Sequence, residues 1–281
     1  MHAQPTPSLE REALADLILL RMRAMEPALK AAFEGSKSAV GVRYCVVDDL
    51  LPAETAAALS ARFPQAQSMR LMNTFRERKH TSKALDRFDP SMAAITFAVQ
   101  DRRVVDLVER ITGIPEQIPD STLYAGGLSV MTRGHFLAPH IDNSHEASRR
   151  HYRTLNLLYY LSPDWGLECG GNLELWDAAV KQHVTIESRF NRLVIMETTP
   201  TSWHSVSPVR AEQPRLCVSN YYFSPRSPTG QGYFHVTSFS AWPDQPFKRA
   251  WAAADNVLRR GLRVLRPGGF GRRDIYAERG P

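Results

Sequence analysis

The chain is expected to fold as a mainly β protein with flanking helices, its core a sandwich or jelly-roll barrel. Three observations lead there. From about residue 121, short runs of alternating character succeed one another: "LYAGGLSVM", "YRTLNLLYYL", "GNLELW", "RLVIMET" and "RLCVSNYYF". Turn residues separate them, which is how strands of a closed all-β core read. Ahead of this stretch, apolar residues recur at helical spacing, and a second helical stripe comes after it. Finally, 281 residues with 43% hydrophobic and 23% charged content are ordinary for a globular chain, and long enough to bury a sizeable core.

The elements come in this order. Residues 1–8 read as a loose tail. Leu14, Ile18, Met22, Met25 and Leu29 share one helical face, which predicts an amphipathic helix over roughly 9–34. "VRYCVV" (42–47) is β-branched and aromatic, hence a strand. Pro52 suits the first turn of a helix running to about Phe63. "RVVDLVERITGIP" predicts another helix, stopped by Gly113 and Pro115. Beyond the β-rich stretch, Phe247, Trp251, Leu258, Leu262 and Leu265 form a stripe flanked by Arg259, Arg260, Arg263 and Arg266. That stripe is expected to pack on the core while the arginines stay in water; lying on an anionic membrane surface is the less favoured alternative. The resulting organisation is a support region at 1–120, a β core at 121–226 and a basic helical extension at 227–281, together one catalytic unit.

A formal net charge of +6 admits nucleic acid, anionic lipid or an acidic substrate as partner. Cys45, Cys169 and Cys217 are too few and too scattered for a disulfide framework or a zinc site, and suit a reducing, cytoplasmic compartment. The apolar run "LILLRM" (17–22) is too short for a membrane span and lacks the flanks of a signal peptide. Internal repeats and low-complexity runs are absent from the sequence.

Function is read from "HFLAPHIDN" (135–143). His140 and Asp142 are two apart, so on a strand they project to one face. With nine histidines in the chain, a His-x-Asp triplet alone decides little. Residues further along the chain give it meaning. His204 lies in "TSWHSVSPV", directly after a strand, and Arg215 opens the strand "RLCVSNYYF" eleven residues later. Two histidines and one carboxylate leave three positions open on an octahedral iron, the ligand set of non-haem Fe(II) oxygenases. A small dicarboxylate can chelate two of them and O2 can take the third. The far carboxylate then needs a fixed cation, and the planar fork of Arg215 suits it. Arg215, Cys217, Ser219 and Tyr221 share one strand face; Asn156, Leu158 and Tyr160 share another. Both faces mix polar and apolar groups, as a small-ligand cavity does.

In "HFLAPHIDN", "LLYYLSPDW", "GGNLELWD", "RFNRLVIM", "WHSVSPV" and "RLCVSNYYF", residues 131–226 resemble the 2-oxoglutarate/Fe(II)-dependent oxygenase superfamily, in its prolyl-hydroxylase-like branch. The resemblance implies a double-stranded β-helix, a jelly-roll form of the cupin kind. It implies Fe(II) on His140, Asp142 and His204, with 2-oxoglutarate and O2 as cosubstrates. It places Arg215 on the distal carboxylate of 2-oxoglutarate, with Tyr160, Ser219 and Asn156 in the same pocket. No side chain beyond the metal ligands is needed as acid or base. Two departures stand out. Many relatives carry a tyrosine nine or ten residues before the first ligand, where this chain has Met131 and Val130, and the interval from His204 to Arg215 is slightly long. Halogenating relatives replace the carboxylate ligand by a small residue, so Asp142 favours hydroxylation.

The resulting expectation is a dioxygenase that hydroxylates an unactivated C–H bond of a small-molecule or carrier-linked substrate, releasing succinate and CO2. The first alternative is a peptidyl, prolyl-type hydroxylase. A non-catalytic basic nucleic-acid-binding module is the alternative of another class. No nucleic acid is expected as partner, since neither an RNA-stacking motif nor a helix-turn-helix is evident. The basic run "RERKHTSK" (76–83) reads either as a solvated loop or as a flap in which Arg76, Arg78 and Lys79 hold an anionic group of the substrate. His135, His145, His151 and His183 are read as structural.

Overall fold

The computed structural model describes residues 9–265, leaving aside the side chains of 38, 253 and 257–265. Three helices open the chain: α1 (Arg11–Ala24), α2 (Glu26–Gly35) and the short α3 (Lys37–Val40). The single helix expected over 9–34 is thus two. Pro27 falls in the first turn of α2, and its missing N–H and ring disfavour a continuous helix through Met25. Strand β1 (Tyr44–Val47) and helix α4 (Ala53–Ala61) come next, with Pro52 just outside the helix as its N-cap. Then come a hairpin, β2 (Arg70–Asn73) and β3 (Glu77–Ser82), and helices α5 (Pro90–Ala98) and α6 (Arg102–Thr112). The Asp101 carboxylate accepts from the Arg103 N–H at the start of α6, and Gly113 ends it at φ 67°, a left-handed conformation that costs glycine nothing.

The remaining strands are β4 (Ile118–Pro119), β5 (Gly127–Met131), β6 (Phe136–Ile141), β7 (Tyr152–Tyr160), β8 (Leu173–Trp176), β9 (His183–Ile186), β10 (Arg192–Glu197), β11 (His204–Val206), β12 (Arg215–Ser224) and β13 (Ser238–Phe239), before helix α7 (Pro246–Leu265). They form one curled antiparallel sheet in the order β1-β10-β7-β12-β5-β3-β6-β11-β8-β9, with β2 on β3, β4 on β12 and β13 on β6. The jelly-roll expectation is met. Strands β1, β2 and β3 come from the N-terminal region, so the sheet reaches beyond 121–226.

Alternation along β7 and β12 divides the interior in two. Leu155, Leu157, Tyr159, Leu216, Val218 and Tyr222 turn outward into a core shared with Leu14, Ile18 and Met22 of α1, Ile95 of α5 and Leu107 and Ile111 of α6. The intervening residues Asn156, Leu158, Arg215, Cys217, Ser219 and Tyr221 turn inward and line a cavity. A period of two on a half-buried sheet produces this division, and the helices cover its apolar face.

Two expectations need correcting. "RERKHTSK" is neither loop nor flap: residues 77–82 are strand β3, hydrogen-bonded to β2, β5 and β6. And the apolar stripe of α7 does not bury its aromatic end. Phe247 is 87% and Trp251 74% exposed. What ties α7 down is polar: the Asn256 amide exchanges hydrogen bonds with the Phe239 backbone, and Arg249 donates to the Ala179 and Val180 carbonyls. The side chains of Leu258, Leu262, Leu265 and the flanking arginines lie outside those described.

Candidate metal and cosubstrate site

His140 stands near the end of β6 and His204 at the start of β11, and the register places them directly opposite. Asp142 lies one residue past the end of β6. One ligand atom from each of the three lies within 4.8 Å of the others. The two rings are 4.1 Å apart between centroids. Each Nδ1 lies 3.0 Å from the backbone carbonyl two residues earlier, Ala138 for His140 and Ser202 for His204. A carbonyl only accepts, so Nδ1 carries the proton and each Nε2 presents a bare lone pair toward Asp142. Those Nε2 atoms sit 3.6 Å from the Asp142 carboxylate oxygens.

The electrostatics suit a cation. Burial, reinforced by His204, holds the His140 ring down to about 3, so it is neutral and able to coordinate at ordinary pH. Burial alone would push the Asp142 carboxyl up. The Arg153 guanidinium, with the Asn156 amide, overrides this and holds it well below the usual carboxylate range.

These residues open on a cavity of about 760 Å3. Arg215, 3% exposed, lies in its wall. Its Nε donates to the Ser188 hydroxyl at 3.1 Å, its Nη1 meets the Met131 sulfur at 3.7 Å, and its plane lies 4.8 Å over the Tyr160 ring. No carboxylate among the described residues pairs with it. A buried guanidinium without an anion is costly. The protein therefore presents a cation to the cavity that fits the far carboxylate of a dicarboxylate ligand.

Met131 occupies the place where many relatives have tyrosine, and it touches Arg215. Tyr160 does not line the cavity: it lies beneath Arg215, its hydroxyl buried without a hydrogen-bond partner of good geometry. Ser219 lines the cavity beside Cys217. Asn156 also lines it, but its amide donates to Asp142 Oδ2 at 2.8 Å and its Oδ1 has no partner.

Several contributing residues are not evident from the sequence. Arg153, 2% exposed, pairs with Asp142 at 3.0 Å. Its only signal is a lone cation inside the apolar run "YRTLNLLYYL". Gly171, two residues before β8, has φ 62°, and a Cβ there would sit 2.7 Å from Arg215 Cδ. Ser188 ties the two together, accepting from Arg215 and donating to the Gly171 carbonyl at 2.8 Å.

The basic triad of the hairpin is split by the pleat. Lys79 lines the cavity with Glu77 and Thr81, and its ammonium pairs with Glu77 at 3.0 Å. Arg76 turns away to pair with Asp255 of α7 at 3.2 Å, and Arg78 is on the other face. Behind β3, His80 meets His135, with ring centroids 5.3 Å apart.

Residues 126–223 match the model of the 2OG-Fe(II) oxygenase superfamily. The matched segment contains every inward-facing residue of β5, β6, β7, β11 and β12 named above. Over 88 residues the chain is 34% identical to the mouse protein described as prolyl 3-hydroxylase OGFOD1. That stretch is 29% of this chain and only 16% of the mouse protein. Among solved structures, the fold is similar to a prolyl 4-hydroxylase from Phytophthora capsici, with a TM-score of 0.52 at 18% identity, covering 92% of this chain and 78% of that one. It is also similar to a Pseudomonas putida prolyl-4-hydroxylase, with a TM-score of 0.51 at 17% identity, covering 71% of this chain and all of the other. At such identity the structural likeness speaks for the double-stranded β-helix fold of the oxygenases.

Proposed function

We propose that the chain is an Fe(II)- and 2-oxoglutarate-dependent dioxygenase that hydroxylates an unactivated C–H bond. The observation that carries this reading is the pairing, in one cavity, of a His-Asp-His donor set with a buried guanidinium that has no anion of its own. His140, Asp142 and His204 would hold the metal through two bare imidazole nitrogens and one carboxylate oxygen. Arg215, backed by Ser188, Met131 and Tyr160, would hold the distal carboxylate of 2-oxoglutarate, with Ser219 beside it.

When bound, the iron and its cosubstrates supply the oxidising chemistry, with succinate and CO2 as by-products. The chain's own residues bind and orient. The two backbone carbonyls fix the imidazole tautomers, and Leu158, Leu173 and Val206 supply apolar surface to the cavity wall. No side chain is required to move a proton.

The substrate is a small molecule or a peptidyl residue bearing an anionic group, held by Lys79. In support of the anionic group, Lys79 is the member of the basic run that faces the cavity. In support of the peptidyl form, the mouse relative is described as a prolyl 3-hydroxylase, and strand β2 at the cavity wall has β3 as its single partner among the described strands. The donor set favours this enzyme over a non-catalytic nucleic-acid module.

The test is a turnover screen of metabolites and peptides with Fe(II) and 2-oxoglutarate, reading succinate together with a product mass gain of one oxygen. Failure of the protein to bind 2-oxoglutarate in the presence of a divalent metal would refute the reading.

A further inference from the structure

The excess charge of this chain sits at one end. Nine of its 35 lysines and arginines, but only three of its 29 acids, fall at 246–281, so that stretch carries the whole formal +6 and residues 1–245 are balanced. Helix α7 opens the stretch, and its polar side holds it to the sheet. Arg249 donates to the Ala179 and Val180 carbonyls, Asn256 exchanges hydrogen bonds with the Phe239 backbone, and Ala252 between them is buried. At 3.6 residues per turn these three lie within about 60° of one another. The opposite side faces water. Phe247 and Trp251 stand there as the two most exposed large apolar side chains described, with Ala250 and Ala254 exposed beside them. By spacing along the sequence, positions 258, 262 and 265, all leucine, continue the line of 247 and 251 within about 60°. A helix that only covers a core turns its apolar side inward; this one turns it away.

We propose that α7 docks the protein on an anionic lipid surface, with its aromatic and aliphatic line entering the headgroup layer. An apolar line in the one segment that carries the positive excess is the pattern of a helix lying in a membrane interface. Charge selects this partner over others. A second copy of the chain would set one +6 segment against another. A nucleic acid would be served by cations interleaved with aromatics, whereas the spacing of Lys248, Arg259, Arg260 and Arg263 keeps them off the apolar line. No helix among the described residues is long and apolar enough to cross a membrane, so α7 lies on the surface rather than through it. Asn256 ties α7 to β13, and β13 pairs with β6, the strand that carries His140. Docking therefore brings the cavity-bearing sheet to the lipid surface.

The experiment is co-sedimentation of the full chain with phosphatidylcholine vesicles made with or without phosphatidylserine. The wild type should bind the serine-lipid vesicles about tenfold or more tighter than the neutral ones, and lose this preference as salt is raised. Phe247→Ser combined with Trp251→Ser should weaken binding roughly tenfold or more. Both side chains are exposed, so circular dichroism should show an unchanged fold. Arg259→Gln and Arg260→Gln should each cost roughly fivefold, the usual worth of a cation at an anionic surface. Equal binding to both kinds of vesicle, or binding to neither, overturns the proposal. So does a double serine variant that binds like the wild type, because charge alone would then explain the attraction. A dimer seen by light scattering that the double serine variant dissociates would give the face to a second copy. Tighter binding to a DNA oligonucleotide than to anionic vesicles, kept by that variant, would give the segment to nucleic acid. Either result overturns lipid docking.

Discussion

Arg215 on β12 and Lys79 on β3 line the same cavity, two strands apart with β5 between them. Both are cations on inward-facing positions, yet their surroundings differ. Arg215 is buried, braced by Ser188, Met131 and Tyr160, and has no anion within the described chain. Lys79 is part-exposed and already paired with Glu77 two residues away on the same strand face. A buried unpaired charge gains strongly from a ligand carboxylate, whereas a wet, paired charge gains little from exchanging one anion for another. The strength of a cation's recognition is therefore read from what it lacks as well as from where it points.

On the proposed reading both cations would serve a ligand only beside a working metal centre, and His204→Ala tests that with the largest effect. Partners behind a metal ligand are worth about 10- to 100-fold, so loss of a direct ligand should cost turnover a factor on the order of 100 or more. Iron content and succinate release measure it; full activity in the variant would remove the site from His204. Next comes Arg215→Ala. Charged hydrogen bonds contribute about 1.5–3 kcal/mol, so the 2-oxoglutarate constant should rise roughly 10- to 150-fold. Arg215→Lys should recover part of this, keeping the charge without the fork. An unaltered constant in the alanine variant would erase the distinction between the two cations.

Gly171→Ala approaches Arg215 from behind. The new methyl would press on Cδ in a left-handed backbone that costs a non-glycine residue roughly 1–2 kcal/mol. A lowered melting temperature with a several-fold higher 2-oxoglutarate constant is expected; lower stability with no change in that constant would show that Arg215 can yield. Lys79→Met should do less. Exposed pairs are worth about 0.2–1 kcal/mol, so the Michaelis constant of an anionic primary substrate should rise up to about fivefold and lose salt sensitivity, while uncoupled 2-oxoglutarate turnover persists. A drop in uncoupled turnover would move Lys79 to the cosubstrate side.

The smallest effect lies behind the hairpin. Burial, with His80 and Arg78 nearby, lowers His135 to about 4. Unfolded, it would titrate near the ordinary histidine value of 6.5, so between these pH values the unfolded chain binds more protons. Its contribution is full above pH 6.5 and is lost as pH falls toward 4. Denaturant melts of His135→Gln should show a shallower loss of stability across that window; an identical slope would mean another group carries it.

Spacing along single strands makes much of the site legible in the sequence. His140 and Asp142 two apart, and Arg215, Cys217, Ser219 and Tyr221 on one face, reflect a period of two that holds in any sheet. The division between β core and helices is legible for the same reason, since periodicity is local. Local signals also fail locally: Pro27 breaks a helix whose apolar face runs on past it. What the sequence does not disclose depends on neighbours chosen across long distances. Whether 76–83 is loop or strand rests on free strand edges at β5 and β6. Which of Arg76, Arg78 and Lys79 meets the cavity rests on the resulting pleat. The exposure of Phe247 and Trp251 rests on the few polar contacts that anchor α7. Arg153 belongs here too. By composition it is one of 35 cations, and only the approach of β7 to the end of β6 turns it into the partner of Asp142. Periodicity is written in the chain; adjacency is decided by packing, because the energy of a buried charge depends on whatever the rest of the fold brings within reach.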